Sequence, residues 1–115
     1  MPLRDQIRKG SSEIIILTLL SQEPMYGYQI TQELQRRSAG YFMMKEGLLY
    51  PTMHRMEQQG LVSSEWRAAV GQRRRKYYLI TDRGRQALTR QTAEWRTFTE
   101  RLLHLLETAP AAEGS

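Results

Sequence analysis

The sequence EGLLYPTMHRMEQQG, at residues 46–60, determines how the rest of the chain is interpreted. We predict a helix here, because Leu49, Met53 and Met56 have the i, i+4, i+7 spacing of one apolar helical face and the final glycine stands where a C-terminal cap belongs. Pro51 lies just past the first turn of such a helix, where a missing N–H removes few hydrogen bonds. We therefore expect a helix that is at most slightly bent.

The opposite face of this predicted helix is polar and contains little acid, since Glu46 and Glu57 lie near its two ends. Arginine, histidine, threonine and glutamine side chains can all hydrogen-bond the edges of bases in the major groove of DNA. An ordinary surface helix would show the same pattern, so the helix alone leaves both interpretations open. The residues that we expect on or beside this face are Leu48, Thr52, His54, Arg55 and Gln59.

The composition fits one small globular domain: the chain has 115 residues, of which 40% are hydrophobic and 25% are charged. There is no cysteine, which excludes disulfides, thiol nucleophiles and thiolate metal sites. The apolar run at residues 14–20 is too short to span a bilayer, and the N-terminus does not resemble a signal peptide. We therefore expect a cytoplasmic protein.

Positive charge is concentrated in the centre of the chain, whose net charge is +5. Residues 36–76 contain nine basic and three acidic residues and carry +6, whereas the rest of the chain contains eight basic and nine acidic residues and carries −1. Such a concentration is typical of a surface that binds phosphate. An anionic membrane surface is the less supported partner, because no basic amphipathic helix accompanies the charge.

Two helices are predicted before the central one. The first covers residues 4–20, although its three consecutive isoleucines would also suit a strand. The second covers residues 25–37, with Tyr26, Ile30 and Leu34 as its inner stripe. The second helix and the central helix, joined by a connector at residues 38–45, make a helix-turn-helix candidate.

After the central helix the apolar pattern has a period of two, which predicts a β-hairpin with strands near residues 62–66 and 77–80. Its return strand is preceded by a run of four cations, Arg73, Arg74, Arg75 and Lys76. A charge run is often only a solvated surface. Here it follows a candidate recognition helix in the order of a winged helix, where the hairpin contacts phosphates beside the occupied groove.

The last predicted helix starts at Thr81-Asp82 and ends near residue 107, and we expect residues 108–115 to be a disordered tail. The helix would be about 35–40 Å long, longer than the domain can cover. A second copy of the chain would bury its apolar stripe in a two-fold dimer; folding back onto the first helix is the alternative, and both can hold. The stripe assigned to the dimer contact comprises Leu88, Trp95, Phe98, Leu102, Leu105 and Leu106.

These motifs, taken together, resemble the PadR family of bacterial transcriptional regulators. The matching stretches are YGYQI at residues 26–30, EGLLYP at 46–51, GLV at 60–62 and RKYYLIT at 75–81, with Arg55, Glu57, Ser64, Trp66 and Gly84. The single last helix resembles the compact branch of the family. The resemblance implies a mainly α fold with a small β-hairpin, in which residues 1–80 form a winged helix-turn-helix domain and residues 81–107 a long C-terminal dimerisation helix.

The resemblance further implies a homodimeric repressor that binds double-stranded DNA at a palindromic operator and is often released by a small molecule. Trp95 and Phe98 are hypothesised to bind a flat hydrophobic effector, as tryptophans at this place do in some compact members; core packing is the competing interpretation. The resemblance and the charge pattern together assign DNA binding to Lys45, Leu48, Tyr50, Thr52, His54, Arg55, Arg73, Arg74, Arg75 and Lys76.

Other functions are less supported by the sequence. The two histidines, His54 and His104, lie on different predicted helices, and no catalytic constellation, glycine-rich phosphate loop or metal-ligand spacing is visible. We therefore expect no enzyme activity, cofactor or metal. A dimeric ligand-sensing or interaction module without specific DNA binding is an alternative, in which the four adjacent cations have no evident role. RNA binding is a third, but the aromatic signature of an RNA-recognition motif is absent.

Overall fold

The computed structural model describes residues 3–68, 71 and 73–108, with the backbone alone for residues 3–9. Four helices and three strands follow one another in the order of a winged helix with an added long helix, so the predicted fold class is confirmed. Of the expected tail at 108–115, the placement of Thr108 is wrong because it is the last residue of the long helix, and residues 109–115 lie outside the described residues. The elements are α1 Leu3–Leu20, β1 Met25–Tyr26, α2 Gly27–Arg37, α3 Glu46–Gln58, β2 Val62–Ala68, β3 Arg74–Ile80 and α4 Asp82–Thr108.

The predicted central helix is confirmed as α3, and it contains Pro51. It ends because Gly60 adopts a positive φ of 78°, a conformation that a glycine accepts without steric cost. The turn is closed by the N–H of Leu61, which donates a hydrogen bond of 2.9 Å to the carbonyl oxygen of Met56. This C-terminal cap turns the chain directly into β2.

The sheet has one strand more than the sequence predicted. Met25 and Tyr26 pair with Tyr78 and Tyr77 of β3, so the sheet has the antiparallel order β1-β3-β2. The prediction that the second helix begins at residue 25 is therefore wrong, and α2 begins at Gly27 instead. The predicted hairpin of β2 and β3, called the wing below, is confirmed, but β3 begins at Arg74 and includes most of the basic run.

The hydrophobic core lies between α1, α2, α3 and the inner face of the sheet. The isoleucine-rich part of α1 is helical and supplies fully buried residues, although β-branched residues favour strands. Met25, Ile30, Leu49, Met53 and Met56 are also fully buried. The buried stripe of α3 therefore fixes this helix on the core and turns its other side to solvent.

The long helix α4 is packed on the domain along its first half, and Leu88, expected in the dimer contact, is half-buried against the domain's own core. Gly84 and Ala87 are its buried residues, and further along Gln91 donates a hydrogen bond of 2.5 Å to Glu13 of α1. Beyond residue 97 every described side chain of α4 is exposed, and the molecule measures 66 × 27 × 21 Å. Among the described residues, no helix is both long and apolar enough to cross a membrane.

Candidate nucleic-acid interface

Three exposed polar side chains, His54, Arg55 and Gln58, form the outward face of α3. Gly47 and Pro51 lie on the same side earlier in the helix and are also exposed. The first part of this face therefore has no long side chain, whereas its second half carries hydrogen-bonding groups. Sequence analysis missed Gln58, although its i+4 spacing from His54 could have identified it.

Thr52 is buried, so its expected position on the exposed face of α3 is wrong. Its side chain is 1% exposed, and its hydroxyl donates a hydrogen bond of 2.7 Å to the carbonyl oxygen of Leu48. The inward face is wider than the apolar stripe suggested, because Thr52 lies one turn from both Leu49 and Met56. Leu48 is half-buried against the core, so it does not lie fully on the exposed face either.

Tyr50 is partly packed against the protein and partly exposed to solvent, with 44% of the residue exposed. The ring lies over Gly27, the first residue of α2: a Cβ at Gly27 would stand only 2.9 Å from Tyr50 Cζ and closer still to the phenol oxygen. The glycine therefore allows the first turn of α3 to approach the start of α2. The remaining part of the ring is available at the surface.

The basic run forms the exposed end of the wing, where aromatic rings contact several of the cations. The guanidinium carbon of Arg75 lies 4.4 Å from the centre of the Tyr26 ring, and that of Arg74 lies 5.7 Å from the Trp66 ring. Such cation–π contacts restrict the positions of the long side chains and leave their charge available. Arg73 is exposed immediately before the return strand.

Glu57 connects α3 to both strands of the wing. Its Oε2 accepts a hydrogen bond of 2.6 Å from the hydroxyl of Ser64 on β2, and its Oε1 lies 3.9 Å from Nζ of Lys76 on β3. Burial raises the pKa of the neighbouring Tyr78, and the negative charge of Glu57 and the Tyr50 phenol raise it further. The phenol of Tyr78 is therefore neutral beside the carboxylate.

These elements enclose an open groove of about 550 Å³ between the start of α2, α3 and the wing, called the aromatic–basic groove below. It brings Tyr50, Arg73, Arg75 and Lys76 together, as expected for residues of one site. His54 and Arg55 lie outside this groove on the outward face of α3, and Lys45 is exposed just before that helix. The complete lining is Tyr26, Gly27, Tyr28, Tyr50, Trp66, Arg73, Arg75, Lys76 and Tyr78.

The two residues hypothesised to bind an effector lie elsewhere, on α4. The rings of Trp95 and Phe98 meet edge to face, with their centres 6.0 Å apart. Trp95 is half-buried and faces an apolar hollow of about 490 Å³ between α1, α2 and α4, whose lining includes Ile15, Leu34 and Phe42. Within the described residues, no group of three or more histidine, aspartate or glutamate side chains could hold a metal ion.

Comparisons with known proteins agree with this arrangement. Residues 16–90 match the Transcriptional regulator PadR-like family. A transcriptional regulator of Mycobacterium tuberculosis is 37% identical over 84 residues, which are 73% of this chain and 75% of that protein. An uncharacterized protein of Lysinibacillus sphaericus is 33% identical over 93 residues, which are 81% of this chain and 85% of that protein.

Solved structures of related proteins have the same fold. A PadR family transcriptional regulator from Eggerthella lenta is 35% identical, with a TM-score of 0.78 and coverage of 90% of this chain and 88% of that chain. A PadR-like transcriptional regulator from Bacillus cereus is 34% identical, with a TM-score of 0.78 and coverage of 88% and 96% respectively. The winged-helix chain described here therefore belongs to the PadR-like family of transcriptional regulators.

Proposed function

We propose that this protein is a sequence-specific DNA-binding regulator that acts as a dimeric repressor of a palindromic operator. One observation carries the proposal: the outward polar face of α3 is exposed to solvent, and the aromatic–basic groove places three cations beside the same helix. A helix that reads base edges and an adjacent set of phosphate contacts are the two components that sequence-specific binding requires. The repressor role and the palindrome come from the family resemblance.

In the proposed complex α3 lies in the major groove, and His54 and Arg55 contact base edges or nearby phosphates. Gln58, on the same face, extends this set. Lys45 contacts a phosphate at the start of α3, and Tyr50 contacts the DNA backbone with its exposed ring edge. Arg73, Arg74, Arg75 and Lys76 bind phosphates along the groove or in the adjacent minor groove. Leu48 and Thr52 support the helix from within.

The dimer is proposed from the unpartnered face of α4, where Phe98, Leu102, Leu105 and Leu106 are 40–66% exposed. A contiguous apolar face of this kind is unfavourable in water, and a second copy of α4 covers it symmetrically. Two recognition helices related by a two-fold axis bind half-sites that are about 34 Å apart, or a multiple of that distance. This geometry is the physical reason for a palindromic operator.

The proposal is tested by mobility shift on the DNA upstream of the protein's own gene and on a scrambled copy, at two salt concentrations. We expect binding to the upstream fragment to persist at the higher salt. Arg75→Ala is expected to weaken binding to both DNAs and to lower the slope of log affinity against log salt by about one, because one phosphate contact is lost. Arg96→Ala, on α4, removes the same charge outside the groove and is the matched control.

Loss of both complexes at the same salt concentration would contradict specific binding. In that case the supported function is the alternative, a dimeric ligand-sensing or interaction module that lacks specific DNA binding. The assay separates the two because a general basic surface retains no preference for one DNA sequence.

A hydrophobic effector is a second proposal, favoured by the half-buried Trp95 beside the apolar hollow between α1, α2 and α4. A flat compound bound there would contact both the proposed dimer helix α4 and helices α1 and α2 of the DNA-binding domain, so its binding energy can favour one spacing of the recognition helices. The test titrates flat hydrophobic compounds against tryptophan fluorescence. Because Trp66 also fluoresces, it uses the Trp66→Phe variant, in which Trp95 is the remaining tryptophan. Unchanged affinity for the same compounds in Trp95→Leu, measured by calorimetry, would exclude this site.

A further inference from the structure

We propose that Glu57 is a positioning residue that fixes the wing on the recognition helix and holds Lys76 away from phosphate until the correct DNA is bound. Glu57 thereby increases the specificity of the protein rather than its affinity. The inference rests on the DNA-binding function proposed above, and it assigns a role to a carboxylate that lies between the recognition helix and the wing.

The geometry gives Glu57 two separate contacts, one for each carboxylate oxygen. The 2.6 Å hydrogen bond from Ser64 is short and charge-assisted, so it holds the carboxylate on β2. The 3.9 Å approach of Lys76 is a looser ion pair, and the side chains of Lys76 and Glu57 are 39% and 35% exposed. One contact is therefore structural, while the other can be exchanged.

Lys76 is suited to exchange its partner, because its ammonium is a point charge on a flexible stem and can donate hydrogen bonds to any anion within reach. The side chain lines the aromatic–basic groove, where a phosphate of the DNA backbone is expected. A phosphate that arrives in this groove competes directly with the Glu57 carboxylate. Arg75 differs, because its described contact is with the neutral Tyr26 ring, which leaves the guanidinium charge available.

The exchange depends on how closely the DNA approaches. Non-specific binding is dominated by mobile phosphate contacts, and it does not require the DNA backbone to enter the groove in a fixed register. On the operator, base contacts by α3 hold the backbone against the wing, and the additional phosphate contact is then made. We therefore expect Lys76 to remain on Glu57 in non-specific complexes and to bind phosphate in the specific complex.

The test measures salt dependence on the operator fragment and on scrambled DNA for Glu57→Gln. Glutamine keeps an amide oxygen that accepts the Ser64 hydrogen bond but removes the charge that holds Lys76. We expect affinity for scrambled DNA to increase about threefold to tenfold, with a salt slope greater by about one, while the operator slope is unchanged. Glu100→Gln, an exposed charge loss on α4, is the matched control and changes neither slope.

A second variant tests the same exchange without altering Glu57. Lys76→Met removes the cation, and it is expected to lower the salt slope by about one on the operator and to leave the slope on scrambled DNA unchanged. In this background Glu57→Gln should have no further effect on either slope. If the role of Glu57 were purely structural, Glu57→Gln would instead lower the melting temperature and weaken both complexes equally. Ser64→Ala, which removes the hydrogen bond to Glu57, shows the effect of that structural loss alone.

The outcomes separate the two proposals. If wild-type protein binds the operator specifically but both variants change the two slopes equally, the exchange of Lys76 is wrong and the DNA-binding function stands. If wild-type protein shows no preference for the operator, the proposed function itself is wrong, and the role of Glu57 is excluded with it.

Discussion

Gly84 shows how one missing side chain sets the position of an entire helix. A Cβ at this residue would collide with the carbonyl oxygen of Leu61 and stand 2.8 Å from Cγ1 of Ile80. Backbone carbonyls cannot move aside as the end of a flexible side chain can. The glycine therefore brings the first turn of α4 against the end of α3 and the start of β2, and this contact connects the long helix to the domain that carries the interface.

We predict that Gly84→Ala lowers the free energy of unfolding by about 2–3 kcal/mol, because the added methyl group forces α4 away from its contact. Gly10→Ala is the matched control: its Cβ would meet nothing within 4 Å in α1, so alanine should stabilise the helix by up to about 1 kcal/mol. Both values are measured by urea denaturation followed by circular dichroism. Equal effects of the two substitutions would contradict the close packing at Gly84.

At the scale of elements, the sequence predicts the helices and the wing well because each has many residues in a regular pattern. The two residues of β1 are too few to show a period, and their pairing with β3 depends on tertiary structure. Thr52 was misplaced for a related reason: a helical face has no sharp edge in the sequence, and a hydroxyl that bonds its own backbone can be buried at low cost. The contacts of Glu57 with the wing could not be predicted, because they join elements whose relative orientation is not encoded locally.

The end of α2 carries an ion-pair cluster whose pH dependence can be predicted. The hydrogen bond from Arg36 is the main cause that lowers the pKa of Glu33 from 4.5 to about 2, and Arg37 contributes further. Because the folded pKa is lower than the unfolded one, the stabilisation is complete above pH 4.5 and is lost as the pH falls through about 2. The cluster is accessible to solvent, so its effect on the free energy of unfolding should be small.

The measurement for this cluster is an NMR titration of the Glu33 carboxyl carbon. We expect Arg36→Ala to raise the pKa of Glu33 towards its ordinary value and Arg37→Ala to raise it less, since the Arg36 hydrogen bond is the larger cause. An unchanged Glu33 pKa in Arg36→Ala would show that the ion pair is not formed in solution.

At the scale of the whole molecule, the exposed distal half of α4 predicts that dimerisation and DNA affinity depend on each other. Leu102→Glu places a charge within the proposed interface, and we expect a monomer that binds the operator at least tenfold more weakly, because two half-sites are no longer bound together. His104→Glu alters an exposed residue on another side of the same helix and should remain dimeric. Sedimentation equilibrium gives the oligomeric state, and a dimeric Leu102→Glu variant would contradict this interface.

Thr81 has a mechanical consequence for the whole molecule. Its hydroxyl donates a hydrogen bond of 2.6 Å to the carbonyl oxygen of Gly60, after α3, and accepts one of 3.0 Å from the N–H of Gly84 in α4. The two helices therefore meet at Thr81, which can act as a pivot between them. From this point α3 extends about 20 Å and α4 about 40 Å. If α3 and α4 rotate about Thr81 as one rigid unit, a displacement of about 4 Å at the far end of α4 moves the start of α3 by about 2 Å. That shift is more than half of the 3.4 Å rise between base pairs.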